Sequence, residues 1–244
     1  MLRFVRRALA GLALLAFLLG GAAVLWNATR GGKERARLPA PPAVKAPRPA
    51  VVPPRRRSAP APSFVRIHWR RSSSTGLPWA GGLVRGVQLP AEGRSFFTWD
   101  PVRRRSPNRD WRRFGSDRLV RMVVRVVAGY AADHPKAPRV GVGDLSRTRG
   151  GDFGHRYGLP GHVSHQNGLD VDVYYPRLDR TERAPRGADD IDRTLAQDLV
   201  DRFVKSGAQK VFVGPRTRLR GPADIVQILP HHDNHLHVRI ADGP

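Results

Sequence analysis

The chain has 244 residues, with 43 Lys plus Arg against 20 Asp plus Glu, a formal net charge of +23 and a sequence pI near 11.7. It contains no cysteine, which excludes disulfides and thiolate metal ligands and leaves histidine and carboxylates to hold any metal. Such a charge suits polyanionic partners, whether nucleic acid, anionic lipid headgroups or cell-envelope polymers, and does not by itself choose among them.

Arg3, Arg6 and Arg7 precede an uncharged, mostly apolar run from Ala8 to Trp26. Residues 1–30 are therefore expected to be a membrane anchor or signal peptide. A run of about 20 apolar residues with no clear small-residue cleavage site after it favours the anchor. From Pro39 to Pro62, nine of 24 residues are proline, so residues 31–63 are expected to be a disordered Pro/Arg-rich linker. In polyproline II form, at ~3.1 Å per residue, that tract reaches up to ~75 Å. Residues 64–244 are left for one folded domain.

Within that domain, Ser116 is a natural N-cap for a helix carrying Leu119, Met122, Val123, Val126, Val127 and Tyr130 at helical spacing, ended by Pro135. A second helix is expected to start near Asp189 or Asp190, with Ile191, Leu195, Leu199 and Phe203 as its stripe and Gly207 after its end. Strands are predicted at Val140–Leu145, Leu169–Tyr175, Lys210–Val213 and Leu236–Ile240. Few helices and several short strands predict an α+β fold, a small, largely antiparallel sheet flanked by helices.

Seven of the nine histidines fall between residues 155 and 237, in two groups. In the first, Asn167-Gly168 is a turn signal, and alternation from Leu169 puts Asp170 and Asp172 on one strand face with Leu169, Val171 and Val173 on the other. Two carboxylates on one strand face cost free energy unless a cation or hydrogen bonds compensate. The second group, HHDNHLHVRI, puts His235 and His237 on one face while Leu236 and Val238 point into a core. A hydrolytic zinc site takes three protein ligands and leaves room for water, and His165, Asp172 and His237 can supply the three. No helical H-E-x-x-H is present, so His235 is the expected general base or oxyanion-stabilising imidazolium. Asp170, His162 and His232 read as groups that orient the ligands, or as ligands of an additional metal. Arg147 and Arg149, after a predicted strand, are candidates to bind a substrate carboxylate. Tyr174, Tyr175 and the tryptophans at 69, 79, 99 and 111 read as core, and His155 and His231 as ordinary loop residues.

The spacing of His165, Gly168 and Asp172, followed by the later H-x-H, resembles the fold group of lysostaphin-type enzymes, D-Ala-D-Ala metallopeptidases and the hedgehog domain. GDLSRTRGG (Gly143 to Gly151), GHVSHQNGLDVDVYY (Gly161 to Tyr175) and HHDNHLHVRI (His231 to Ile240) are closest to the penicillin-insensitive murein endopeptidases. That resemblance implies a hedgehog/D-Ala-D-Ala-metallopeptidase-like fold and hydrolysis of D-alanyl-meso-diaminopimelyl cross-links in peptidoglycan by a zinc-activated water. By motif, His165, Asp172 and His237 match zinc ligands and His235 the catalytic histidine. His162 and His232 also match motif histidines, as further ligands or substrate contacts. The implied setting is the periplasm, at the inner membrane or released after signal cleavage.

Two rivals remain: a D-Ala-D-Ala carboxypeptidase of the same fold group, and a non-catalytic zinc-containing wall-binding module. Nucleic acid is not an expected partner, because no recognition motif accompanies the charge.

Overall fold

The structure is a computed structural model and describes residues 66–154 and 163–243. The expected anchor (1–30), the expected linker (31–63) and the histidines at 155 and 162 lie outside the described residues. Among the described residues, no helix is long and apolar enough to cross a membrane.

The chain opens with a hairpin, β1 (Ser73–Leu77) and β2 (Ala80–Val84), followed by short β3 (Val87–Gln88), β4 (Phe96–Thr98) and β5 (Phe114–Gly115). Helix α1 (Asp117–Asp133), β6 (Val140–Val142), β7 (Asp170–Tyr174), α2 (Arg193–Lys205), β8 (Lys210–Val213), β9 (Val226–Ile228) and β10 (His235–Arg239) follow. Six strands form one sheet in the order β4-β6-β7-β10-β8-β9. Its three central pairings are antiparallel, while β4-β6 and β8-β9 at the edges are parallel. The fold is therefore α+β with a small mixed sheet.

Helix α1 begins where its cap chemistry demands: the Ser116 side chain accepts from the Leu119 N–H at 3.2 Å. Helix α2 starts later than the sequence pattern suggests. Asp192 is its N-cap, accepting from Leu195 N–H at 3.2 Å, while Ala188–Asp190 form a separate 3-10 turn. Ile191 is not on the helical stripe; it is buried in extended backbone and bridges to Arg177. The apolar faces of both helices share one core with Val171, Val173, Val211, Val213, Leu236 and Val238 from one side of the sheet. That leaves the opposite side of β7 and β10 to polar side chains.

The strand expected through Leu145 ends at Val142, because the next residues bond elsewhere. Gly143 N–H donates to Asp172 O at 2.8 Å and Asp172 N–H to Asp144 O at 2.9 Å, whereas Ser146 exchanges backbone bonds with Phe114. The segment thus ties the β7 backbone to the strip preceding α1.

Candidate metal and active site

The register of β7 against β10 builds the site. His237 sits opposite Asp172, Arg239 opposite Asp170, and His235 opposite Tyr174. The third participant, His165, comes from the turn before β7, where its own φ is +69° and that of Gly168 is +76°. Glycine is required at 168 twice over, since a Cβ there would also lie 2.8 Å from the Leu83 side chain. Asn167 tightens the same turn by accepting from Leu169 N–H at 3.3 Å.

His165, Asp172 and His237 are all buried and each offers a ligand atom, with these atoms within 4.8 Å of one another. Around Asp172 Oδ1, His237 Nδ1 lies at 3.2 Å, His165 Nε2 at 3.3 Å and His235 Nε2 at 3.7 Å. The far side of each ring fixes its tautomer. His165 Nδ1–H donates to the Leu145 carbonyl at 2.5 Å, and His237 Nε2–H donates to Asp170 Oδ1 at 2.7 Å. His235 Nδ1–H likewise donates to the Asn234 side-chain carbonyl at 2.6 Å, because that oxygen can only accept. In their neutral forms, His165 and His237 therefore aim nitrogen lone pairs at a buried carboxylate oxygen. That arrangement needs a positive charge, either a proton on His237 or a metal ion, and two imidazoles plus a carboxylate, each imidazole oriented from behind, suit a divalent metal.

The electrostatics agree. Burial works against a charged His237, but its bonds to Asp170 and Asp172 outweigh this and raise its pKa to about 9. Burial also disfavours the Asp172 carboxylate, yet the facing His165 and His235 hold it well below the usual carboxylate range. Asp170 is lowered in the same way, burial being overcome by His237, His165 and Arg239. Its Oδ1 takes both His237 and Arg239 Nε at 2.7 Å, while Oδ2 has no hydrogen-bond partner among the described residues. Asp170 thus holds the His237 ring from behind. His232 is shifted down by burial, despite donating from Nδ1 to Pro230 O at 2.8 Å, and its ring centre is 4.7 Å from that of His235.

These groups form the floor of a cleft of about 640 Å³. Trp79, Val163, Ser164, Leu229, Pro230, His231 and Asn234 also line it. Three sequence expectations are corrected here, the first being Trp69, which is not core but 41% exposed. Trp79 is likewise not core but 52% exposed, at the tip of the β1-β2 hairpin. His231, read as an ordinary loop residue, lines the cleft. Arg147 and Arg149 do not line it; they border a second hollow with Trp111, where Arg147 Nη1 donates to Asp152 O at 3.0 Å. His162 lies outside the described residues.

Several supports were not picked out residue by residue from the sequence. Asp144 and Arg112 are a buried ion pair, with bonds of 2.5 and 2.6 Å, to which Asn108 Nδ2 adds a third at 2.9 Å. The Arg112 guanidinium lies over the Phe153 ring, and Phe153 stacks on His165 with centroids 5.7 Å apart. Phe212 packs edge-on against His237. An aspartate inside the apolar run Val140 to Leu145 is the same kind of signal as Asp170 and Asp172; Arg112 and Phe153 carry none.

Fold and site together define an α+β protein with a candidate metal-binding cleft on the polar face of a mixed sheet. The chain belongs to the penicillin-insensitive murein endopeptidase family, which it matches over residues 74–220, more than half its length. It is accordingly a peptidase whose substrate is peptidoglycan. The matched span includes His165 and Asp172 and stops before His235 and His237, which the β7-β10 register brings alongside them. A comparison with curated proteins found no match.

Proposed function

We propose that the chain is a zinc-dependent endopeptidase that cuts D-alanyl-meso-diaminopimelyl cross-links of peptidoglycan. The observation that carries this reading is the convergence of His165 Nε2, His237 Nδ1 and Asp172 Oδ1, with both rings anchored from behind. These three residues hold the metal, and His162 is a further candidate ligand. When bound, zinc supplies Lewis acidity that polarises a peptide carbonyl and acidifies water. His235, its proton kept on Nδ1 by Asn234, receives the proton of the attacking water at Nε2 and passes it to the leaving amine. His232, whose pKa burial lowers, faces substrate from the neighbouring loop. A hedgehog-like relationship of the fold is part of the same reading.

Residues 64–244 form the catalytic domain in this proposal. Residues 1–30 hold it at the inner membrane through the apolar run after three arginines, and the linker lets it reach the wall from the periplasm. The test is digestion of purified cross-linked muropeptide dimers by the zinc-loaded chain, with and without chelator, read by product mass. Monomers bearing a free diaminopimelyl amine are the expected result. Intact dimers in the presence of stoichiometric zinc would refute the proposal, and release of terminal D-alanine alone would make the enzyme a carboxypeptidase.

A further inference from the structure

The exposed apolar side chains are unevenly distributed. Among the described residues, Trp79, Val163 and Leu229 line the cleft and Leu77, Val102 and Ile228 lie within two residues of a lining side chain, together six of the nine large hydrophobics left exposed. Clustering of this kind around a concave site marks a binding rim rather than ordinary surface. Trp79 is the largest of the six, and its setting separates it from the other exposed tryptophan. The Trp69 ring is covered by the Arg121 guanidinium at 4.2 Å, and the Trp111 ring by Arg109 and Arg112 at 5.0 and 4.9 Å. No ring or cation stacks on Trp79 among the described residues.

Its backbone, in contrast, is firmly held. Pro78 O accepts from Gln166 N–H at 2.9 Å, Gly81 O from Gly151 N–H at 3.0 Å, and Leu83 N–H donates to Arg149 O at 2.9 Å. Gly150 permits this contact, since a Cβ there would lie 2.1 Å from Gln166 O. The β1-β2 tip is therefore pinned to the turn that carries His165, so the backbone bearing the indole stands at a fixed place relative to the candidate metal ligands. A flat, preorganised apolar face costs little ordering entropy when a ligand settles on it.

A peptidoglycan cross-link offers two chemically distinct parts to such a cleft. The peptide carries the scissile amide and its carboxylates, which match the histidines, Asn234 and Arg239 on the floor. The glycan strand stays outside with its sugar rings, whose C–H faces match an aromatic plane, as in other stacking contacts of indoles. We propose that Trp79 is a stacking platform for a sugar ring of the glycan strand bearing the cleaved stem peptide. The inference rests on the endopeptidase reading and deepens it.

The test compares two substrates on wild type, Trp79→Ala and Trp79→Phe. One is a cross-linked muropeptide dimer with its disaccharides; the other is the same cross-linked peptide with the sugars removed by amidase. For Trp79→Ala, kcat/KM on the sugar-bearing dimer should fall roughly tenfold, carried by KM, while the sugar-free peptide is cut as by wild type. Trp79→Phe should recover most of the loss. Equal losses on both substrates would overturn the proposal by placing Trp79 on the peptide, and no loss on either would overturn it as well. Failure of wild type to cut either substrate would instead refute the endopeptidase reading, which keeps the two failures distinct. As an independent readout, a soluble β-1,4-linked N-acetylglucosamine oligomer should shift one indole N–H resonance of the wild-type chain, the one missing from Trp79→Ala. A shift that survives in the variant counts against the platform.

Discussion

Every donor in the cleft is judged by its distance to Asp172 Oδ1, and by that measure His235 differs from the other two histidines. It is the farthest of the three at 3.7 Å, is partly exposed, and is anchored by an amide rather than by a buried carbonyl or carboxylate. His235→Ala should therefore lower turnover of cross-linked dimers by ~10²–10⁴-fold while zinc content, measured by elemental analysis, stays at the wild-type level. Loss of zinc would make His235 a ligand instead. His237 leads to a pH prediction. Its proton persists up to about pH 9 in the metal-free protein, and a metal on Nδ1 must expel it. Apparent zinc affinity should thus rise about tenfold per pH unit towards 9 and flatten above, as a chelator-competition series would show. The chemistry-bearing side chains at this scale were legible beforehand, because period-2 alternation alone puts Asp170 and Asp172, and His235 and His237, on shared faces. What orients them was not. The Leu145 carbonyl, the Asn234 amide and the Phe153 ring act through positions that only the folded chain creates.

Between elements, the segment Gly143–Ser146 deserves a stability test, because it connects the β7 backbone to the strip before α1. Asp144 ends that connection in a fully buried ion pair with Arg112. Removing one member leaves the other buried and charged, so Asp144→Ala should cost ~3–5 kcal/mol in urea-induced unfolding. The double variant Arg112→Met, Asp144→Leu should recover part of it, since no charge is then stranded. An undiminished midpoint for Asp144→Ala would show that the pair is not a stabilising hinge of the fold. Helix α1 and strand β8 were readable to the residue because capping and alternation are local. The α2 start was misplaced by Ile191, whose spacing fits a helix but whose position is extended. The β1-β2 hairpin went unseen, because its strands carry Ser, Thr and Gly rather than alternating apolar residues, and its shape is enforced by contacts with the His165 turn.

For the molecule as a whole, a charge of +23 and an acidic polymer substrate make association sensitive to salt. Binding of the full chain to intact sacculi, followed by sedimentation, should weaken several-fold between 50 mM and 500 mM NaCl, whereas turnover of small soluble dimers should change little. Equal retention at both salts would mean that the charge serves something other than the wall. The pairing of β7 with β10 carries one more consequence. His237 and Asp170 touch across 67 residues of sequence, the intervening chain containing all of α2, β8 and β9. A metal gripping both strands is thus a removable rivet through the middle of the sheet. Because both strands hold it only after that long excursion has closed, a metal ion bound there would favour the native state by mass action. On the zinc-endopeptidase reading, the melting temperature should climb with free zinc, and a chelator should lower it together with turnover.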